Sequence, residues 1–334
     1  MIIGRSMDVR IRLSEERDKQ QILQLLNSGF STIQRSSNIR GDEFWDWKYM
    51  NSPFGRAKLT IAELDKNIVA VDNMWPWEFH ARGTVIKALQ PCDSIVHPDF
   101  RGQGLFRKMR LHGLEVAKAD GVRFLFNFPN ESSLGGNVSL GWHFIGRINW
   151  WVKLLKPVDV LRDVFSKVSS EPLIPDKEYL IDFNVINHIA QDGVNFDGFI
   201  KINRVEGFHE WRYGQHPSRV YGSVVFEQGN KKTALIFTVQ KKGTLREMVI
   251  VDIIGSQKGV LPAIGRAVDA GRKMNIALVA IIDNPKFGTD TLWKLGFVRK
   301  KMKNMVVLPL ELGIDCILKN KKSWSLVAGM HDSI

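Results

Sequence analysis

A ten-residue signature occurs twice in this chain, as "FWDWKYMNSP" (44–53) and "FHEWRYGQHP" (208–217). Both fit Phe-x-x-Trp-[Lys/Arg]-Tyr-x-x-x-Pro. The sequence holds only 10 Trp and 4 Tyr among 334 residues, so coincidence is a poor explanation. Such a repeat implies one supersecondary unit used twice, which restricts the fold more than any compositional value. The sequence after each copy agrees. "AKLTIAEL" (57–64) and "VYGSVVFEQ" (220–228) read as strands. "LQPCDSIV" (89–96) and "EMVIVDIIG" (247–255) read as strands leading into helical patterns at 105–119 and 260–274. Strand-like "RFLFNF" (123–128) and "IALVAIIDN" (276–284) follow, then the Leu-Gly-aromatic segments "SLGWHFIGRI" (139–148) and "KLGFVRKKM" (294–302), with the apolar "MVVLPL" at 305–310. This order predicts a mixed α/β protein built from two related units, and it sets Asp93 opposite Asp252.

The copies differ at one turn. The first has "HPDFRGQGLF" (97–106), the second only "GSQKGVLP" (255–262). A glycine-rich turn opening a helix presents backbone N–H groups backed by the helix dipole, a geometry that receives phosphate. The plainer reading is a tight loop whose glycines only permit positive φ. Between the copies, "SSEPLIPD" (169–176) suggests a weakly structured connection. The expected division is a first unit at 1–157, a connecting segment at 158–200, a second unit at 201–312 and a tail at 313–334.

Composition bounds the function classes. The chain is 44% hydrophobic and 25% charged, ordinary for a globular protein, and its length suits two domains. No apolar run approaches the roughly 18 residues of a membrane span, and "MIIGRSMDVRIRL" lacks the apolar core of a signal peptide. Cys92 and Cys316 stand far apart, giving neither a disulfide framework nor a metal-type cluster. The expectation is a cytoplasmic protein without a metal. The net charge of +12 raises the question of an acidic partner. The densest basic runs, "RKKMK" (299–303) and "KNKK" (319–322), read as solvated faces, and no nucleic-acid-binding module is visible.

At this point a family comes into view. "VHPDFRGQGLFRKM" (96–109) resembles the acyl-CoA-binding motif of the GCN5-related N-acetyltransferases, whose loop runs [Gln/Arg]-x-x-Gly-x-[Gly/Ala]. Arg101, Gly102, Gln103, Gly104 and Leu105 fill its first five places, and Phe106 stands where the family has Gly or Ala. Leu140–Trp142 is similar to the Leu-Gly-Phe/Trp of the family's second cofactor motif. The resemblance covers about 8–155 well and about 200–310 more loosely, as a copy without the loop. It implies two tandem folds of this type, each a curved mixed sheet flanked by helices. The repeated aromatic element resembles a subgroup found among polysaccharide-biosynthesis acetyltransferases.

The resemblance further implies that acetyl-CoA is the donor and a small primary amine the acceptor, with an amino sugar or sugar nucleotide as one candidate. Ile95 and Val96 would contact the acetyl and pantetheine arm by main chain, Arg101 to Phe106 would cradle the pyrophosphate, and Asn130 would reach the cofactor by its amide. Phe106 is expected to turn its ring into the core. The attacking amine must lose a proton, and a backbone N–H would stabilise the oxyanion. Strand alternation puts Asp93, Ile95 and His97 on one face. Asp93 is then either the base or a carboxylate paired with a nearby cation, the reading favoured by Asp252 in the loop-less copy. Glu131 is a second candidate for the base. His97 is expected to cap its turn, and His112 to lie on the helix after the loop. Family members often carry a proton-donating Tyr near Asn137, but none occurs in 129–142. Trp75 and Trp77 either line the acceptor pocket, where indoles could stack on a sugar, or pack the core as large aromatics usually do. Trp47 and Trp211, being repeated, read as structural. Two other functions stay open: an acyl-CoA-binding sensor without turnover, and a tandem peptidyltransferase using aminoacyl-tRNA.

Overall fold

The computed structural model describes residues 9–31, 40–163, 170–191, 199–284, 289–311 and 313–331. The repeated signature folds the same way twice. In the first copy, helix α1 spans Lys19–Ser31, after strand β1 (Arg10–Leu13). Helix α2 (Asp42–Trp45) then widens into one π-turn, Asp46–Met50, closed by Asn51 N–H donating to Asp46 O at 2.8 Å. In the second copy the π-turn is Glu210–Gly214, closed by Gln215 N–H to Glu210 O at 2.8 Å. The widened turn brings Trp and Tyr inward together: Trp47, Tyr49, Trp211 and Tyr213 are all buried.

The chain forms two compact units. The first comprises Met1–Glu78, Ile86–Phe126 and Pro309–Glu311; the second comprises Phe79–Val85, Asn127–Leu308 and Leu312–Ile334. In the first, β2 (Lys58–Leu64) lies antiparallel to β1 and to β3 (Asn67–Ala81), and β4 (Thr84–Val96) follows β3 in the sheet. Helix α3 spans Leu105–Ala119, the full extent of the predicted amphipathic stretch. It leads to β5 (Phe124–Asn127), which runs parallel to β4. Alternation sorts the two faces of this sheet. Ile61 and Ile95 pack with Ile22, Leu26, Trp45 and Tyr49 on the α1–α2 side, whereas Ala62 and Val96 pack with Leu105 and Met109 of α3.

The second unit contains α4 (Glu131–Ser139), β6 (His143–Leu154), α5 (Pro157–Asp163), β7 (Ser170–Leu173), α6 (Phe183–Gln191) and β8 (Lys201–Ile202). It continues with β9 (Tyr221–Gln228), β10 (Lys231–Lys242), β11 (Leu245–Gly255), α7 (Val260–Lys273), β12 (Leu278–Ile282), α8 (Thr289–Lys294), β13 (Val298–Pro309) and α9 (Asp315–Leu318). The pairings β9–β10 and β10–β11 are antiparallel and β11–β12 is parallel. This is the strand logic of β2–β3–β4–β5, with α7 in the place of α3. Leu235, Phe237 and Val239 of β10 meet Val260, Ile264 and Ala267 of α7 in the core.

Three features differ from the division drawn on the sequence. Strand β6, assigned to the first copy, lies in the second unit, antiparallel to both β12 and β13. Sequence order names a strand's neighbours in the chain, not its neighbours in a sheet. The connecting segment carries β7, which extends the sheet along β10, and α6, whose Ile186 and Ile189 are fully buried. Pro172 is tolerated in β7 because the strand lies at an edge. The expected tail contributes Trp324, Leu326, Val327 and Met330 to the core. The nearby lysines drew the reading toward solvent, but the four apolar residues decide where the segment goes.

Candidate functional site

The loop expected to hold an anion lies in the first unit, between β4 and α3. Its start is shaped locally: His97 Nδ1 accepts from Asp99 N–H at 3.4 Å, as expected of a capping residue, and Pro98–Phe100 form one helical turn. Arg101, Gly102, Gln103 and Gly104 are all exposed. Gly102 (φ 78°) and Gly104 (φ 73°) adopt the left-handed conformation that side chains disfavour. A Cβ built on either would meet nothing within 4 Å, so both glycines face open space. Gly104 is the N-cap of α3, offers no side-chain acceptor, and no acidic residue occupies the first turn. The leading amides of a helix have no acceptor within it, and Arg101, Arg107 and Lys108, all exposed, flank Gly104 in the sequence. An anion bearing several oxygens fits this donor set, and a carboxylate side chain would have filled it.

The strand leading to the loop forks from its neighbour. Strand β4 pairs with β5 at Ala88–Phe124 and Leu89–Leu125, and no further pair follows among the described residues. Pro91 has no N–H to contribute, and Asp93 turns to φ 45°, which bends β4. The main chain of Ser94, Ile95 and Val96 therefore lies beyond the fork, just ahead of the loop. Of the expected donor contacts, Ile95, Val96 and 101–106 lie together in the first unit.

Asp93 occupies a sealed cluster. Lys48 Nζ lies 2.6 Å from Oδ2, Arg40 Nη2 donates to Oδ1 at 3.2 Å, and Tyr49 OH donates to Oδ2 at 3.0 Å. The side chain is 5% exposed. Burial alone would raise its pKa, but Lys48 and Arg40 outweigh burial and hold the carboxyl below its usual range. Tyr49 is pushed well above its ordinary value, by burial first and then by the carboxylate. The positive φ also breaks the alternation expected of Asp93, Ile95 and His97. The same cluster recurs in the second unit. Asp252 accepts from Tyr213 OH at 3.0 Å and is paired with Arg204, and Arg204 outweighs burial to lower its pKa. Arg40, Tyr49 and Asp93 thus match Arg204, Tyr213 and Asp252. This duplicated arrangement favours the paired-carboxylate reading of Asp93 over the base.

Four other expectations meet the structure as follows. Trp75 and Trp77 are 0% and 1% exposed, packed edge to face with centroids 5.2 Å apart. Trp77 also donates to Gln90 Oε1 at 3.1 Å. A sheet covered on both faces leaves neither indole open to a sugar, so the substrate-contact reading gives way to a core one. Phe106 is 37% exposed, its ring under the Arg110 guanidinium at 4.9 Å, not turned into the core. Leu105 takes the inward position because it shares a helix face with Met109. Asn130 belongs to the second unit and is the N-cap of α4, where Oδ1 accepts from Ser133 N–H at 2.9 Å. Glu131 is exposed on the same unit and pairs with Arg147 at 3.3 Å.

Another group went unnoticed in the sequence. Asp72 on β3 is fully buried and bound by Arg110 of α3 through both carboxylate oxygens, each at 2.7 Å. Ser94 Oγ donates to the same carboxylate at 2.5 Å. The signal was available: an Asp inside the apolar run "NIVAVDNMW" (67–75), and an Arg beside Met109 on the inward side of α3.

With this geometry established, comparison with known proteins becomes informative. Residues 10–145 match the family model of the acetyltransferase (GNAT) domain. The matched stretch takes in the first aromatic signature, the glycine loop and α3. Solved structures with the same fold extend the likeness over both units. A probable N-acyltransferase of unknown function from Enterococcus faecalis V583 aligns with a TM-score of 0.66 at 12% identity, covering 91% of this chain and 73% of that one. A GCN5-related N-acetyltransferase from Anabaena variabilis gives 0.62 at 13% identity, over 90% and 72%. The N-myristoyltransferase of Saccharomyces cerevisiae with bound myristoyl-CoA gives 0.51 at 12% identity, over 91% and 83%. No curated protein sequence matches the chain. Among the described residues no helix is long and apolar enough to cross a membrane.

Proposed function

We propose that this protein transfers the acetyl group of acetyl-CoA to the primary amine of a small acceptor, with the donor held on the first unit. The observation that carries this reading is the uncapped N-terminus of α3, where Gly102 and Gly104 leave room for a diphosphate among Arg101, Arg107 and Lys108. Acetyl-CoA supplies an activated thioester when bound. Arg101 to Phe106 bind its phosphates, chiefly through main-chain N–H groups. The main chain of Ile95 and Val96, beyond the fork of β4, orients the acyl arm and offers an N–H to the oxyanion. The attacking amine must lose a proton, and Asp93 is poorly suited to take it while three donors hold its carboxylate. Water or another group fills that role. An amino-sugar acceptor in polysaccharide biosynthesis is the narrower form of this reading, and with Trp75 and Trp77 buried it rests on the resemblance alone.

A second reading, acyl-CoA binding without turnover, is favoured by the locked Asp93 and by the absence of Tyr in 129–142. One experiment tests the shared basis of both. Thermal unfolding of the wild type and of Gly104→Glu is followed with and without acetyl-CoA. The expected result is stabilisation of the wild type by about 3 kcal/mol at a hundredfold excess over Kd, and none of the folded variant. No shift in the wild type at saturating acetyl-CoA would sink the reading. Release of free thiol on adding amines then separates a transferase from a sensor.

A further inference from the structure

The buried group Asp72, Arg110 and Ser94 has no counterpart in the second unit. The repeated signatures fix the correspondence. Thr60 and Val224 stand at the interval that separates the two motifs, and their ladder partners are Asp72 and Leu235. Ser94 and Ile253 each follow the shared aspartate, and Arg110 and Gly265 are each the sixth residue of their helix. One unit therefore has a charged, hydrogen-bonded set where the other has leucine, isoleucine and glycine. The fold accepts the apolar version, so the polar version is not needed to make the sheet. It accompanies the glycine loop, which is also confined to the first unit.

Its geometry indicates what it does there. Arg110 lies on the helix that begins at Gly104, and Phe106 of the loop motif rests against its guanidinium at 4.9 Å. Both bonds from Arg110 go to Asp72, and Ser94, bonded to the same carboxylate, immediately precedes Ile95 and Val96. A planar guanidinium held at two atoms fixes orientation as well as distance. Resting on the donor reading above, we propose that Asp72, Arg110 and Ser94 are positioning residues. They lock α3 onto β4, setting the span between the loop that takes the donor's phosphates and the strand that takes its acyl arm. A ligand engaging both points binds more tightly than either fragment because the second contact is intramolecular, and that gain depends on the span.

The test compares two probes by calorimetry: coenzyme A, which spans both points, and adenosine 3′,5′-bisphosphate, which reaches only the phosphate end. Asp72→Leu with Arg110→Met installs an apolar pair in place of the ion pair. Its affinity for coenzyme A is expected to fall about tenfold while affinity for the bisphosphate stays within about twofold. Ser94→Ala, which disturbs packing little, is expected to lower coenzyme A affinity about threefold with the same selectivity. It keeps the test open if the double variant fails to fold. Unchanged coenzyme A affinity in either folded variant overturns the proposal, as does an equal loss for both probes, which would mean general disruption. If the wild type binds neither probe, the donor reading itself fails and takes this proposal with it.

Discussion

The two units share a frame and differ in what is built on it. Arg40, Tyr49 and Asp93 recur as Arg204, Tyr213 and Asp252, each trio joining the segment around the π-turn to the strand before the helix. The glycine loop and the set Asp72, Arg110 and Ser94 occur once. Position within a repeat thus separates two kinds of buried charge: the duplicated kind belongs to the scaffold, and the single kind accompanies the binding loop. Even within the shared frame the second unit has diverged. Lys48 turns to Asp93, whereas its counterpart Arg212 donates to Gly329 O and His331 O, both at 3.1 Å.

The sharpest way to break this comparison is to remove both duplicated carboxylates in turn. Asp93→Ala and Asp252→Ala each leave buried cations without their carboxylate, and each is expected to cost about 3–5 kcal/mol in urea unfolding. Similar losses would confirm a common scaffold role. A folded Asp93→Ala protein that binds acetyl-CoA but has lost all turnover would instead restore Asp93 as the base.

The next effect distinguishes the units by pH. His209 sits beside the Asp252 cluster, its Nδ1 3.0 Å from Asn187 Oδ1, and burial lowers its pKa to about 4, opposed in smaller measure by the Asp252 carboxylate and reinforced by the Arg204 cation. Between about pH 4 and 6.5 the unfolded chain binds the proton that the folded chain refuses. Stability therefore rises with pH across that window, and acidification removes up to about 3 kcal/mol. Melting temperature against pH should show this slope in the wild type and lose it in His209→Gln. A slope that survives the substitution would assign it to other groups.

The smallest effect concerns the loop. Phe106→Ala removes a half-exposed ring from Arg110, a contact worth about 0.5–1 kcal/mol. Acetyl-CoA affinity is expected to drop slightly while melting temperature barely moves. A large fall in stability would mean that the ring matters to the core after all.

Much of this was legible in the sequence because the repeat multiplies weak signals. A lone Tyr or Arg carries little information, but the same residue at the same interval in two copies marks a shared contact. The bounds of α3 followed from its apolar spacing and the glycines before it. Other features depended on distance along the chain. Nothing local in "HFIGRINWWVKL" (143–154) tells which strands it will join. Asp72 and Arg110 lie 38 residues apart and become a pair only once the helix is laid on the sheet. Trp75 and Trp77 were ambiguous for a physical reason: alternation assigns faces, but it does not tell whether both faces are covered.

The position of β6 has a consequence for how the chain is made. Its ladder partners lie at 278–307, and the core beside them includes residues as late as Met330. At 5–20 residues per second, a ribosome that has just added Leu154 needs roughly 6–25 seconds to reach Leu278, the first of those partners. Throughout that interval β6 is an apolar strand with two unpaired edges, a template for the wrong neighbour. Its long-range partners make its closure intrinsically slow. Synthesis rate and chaperone occupancy in that window therefore bear on the yield of active protein as directly as any residue in the donor site.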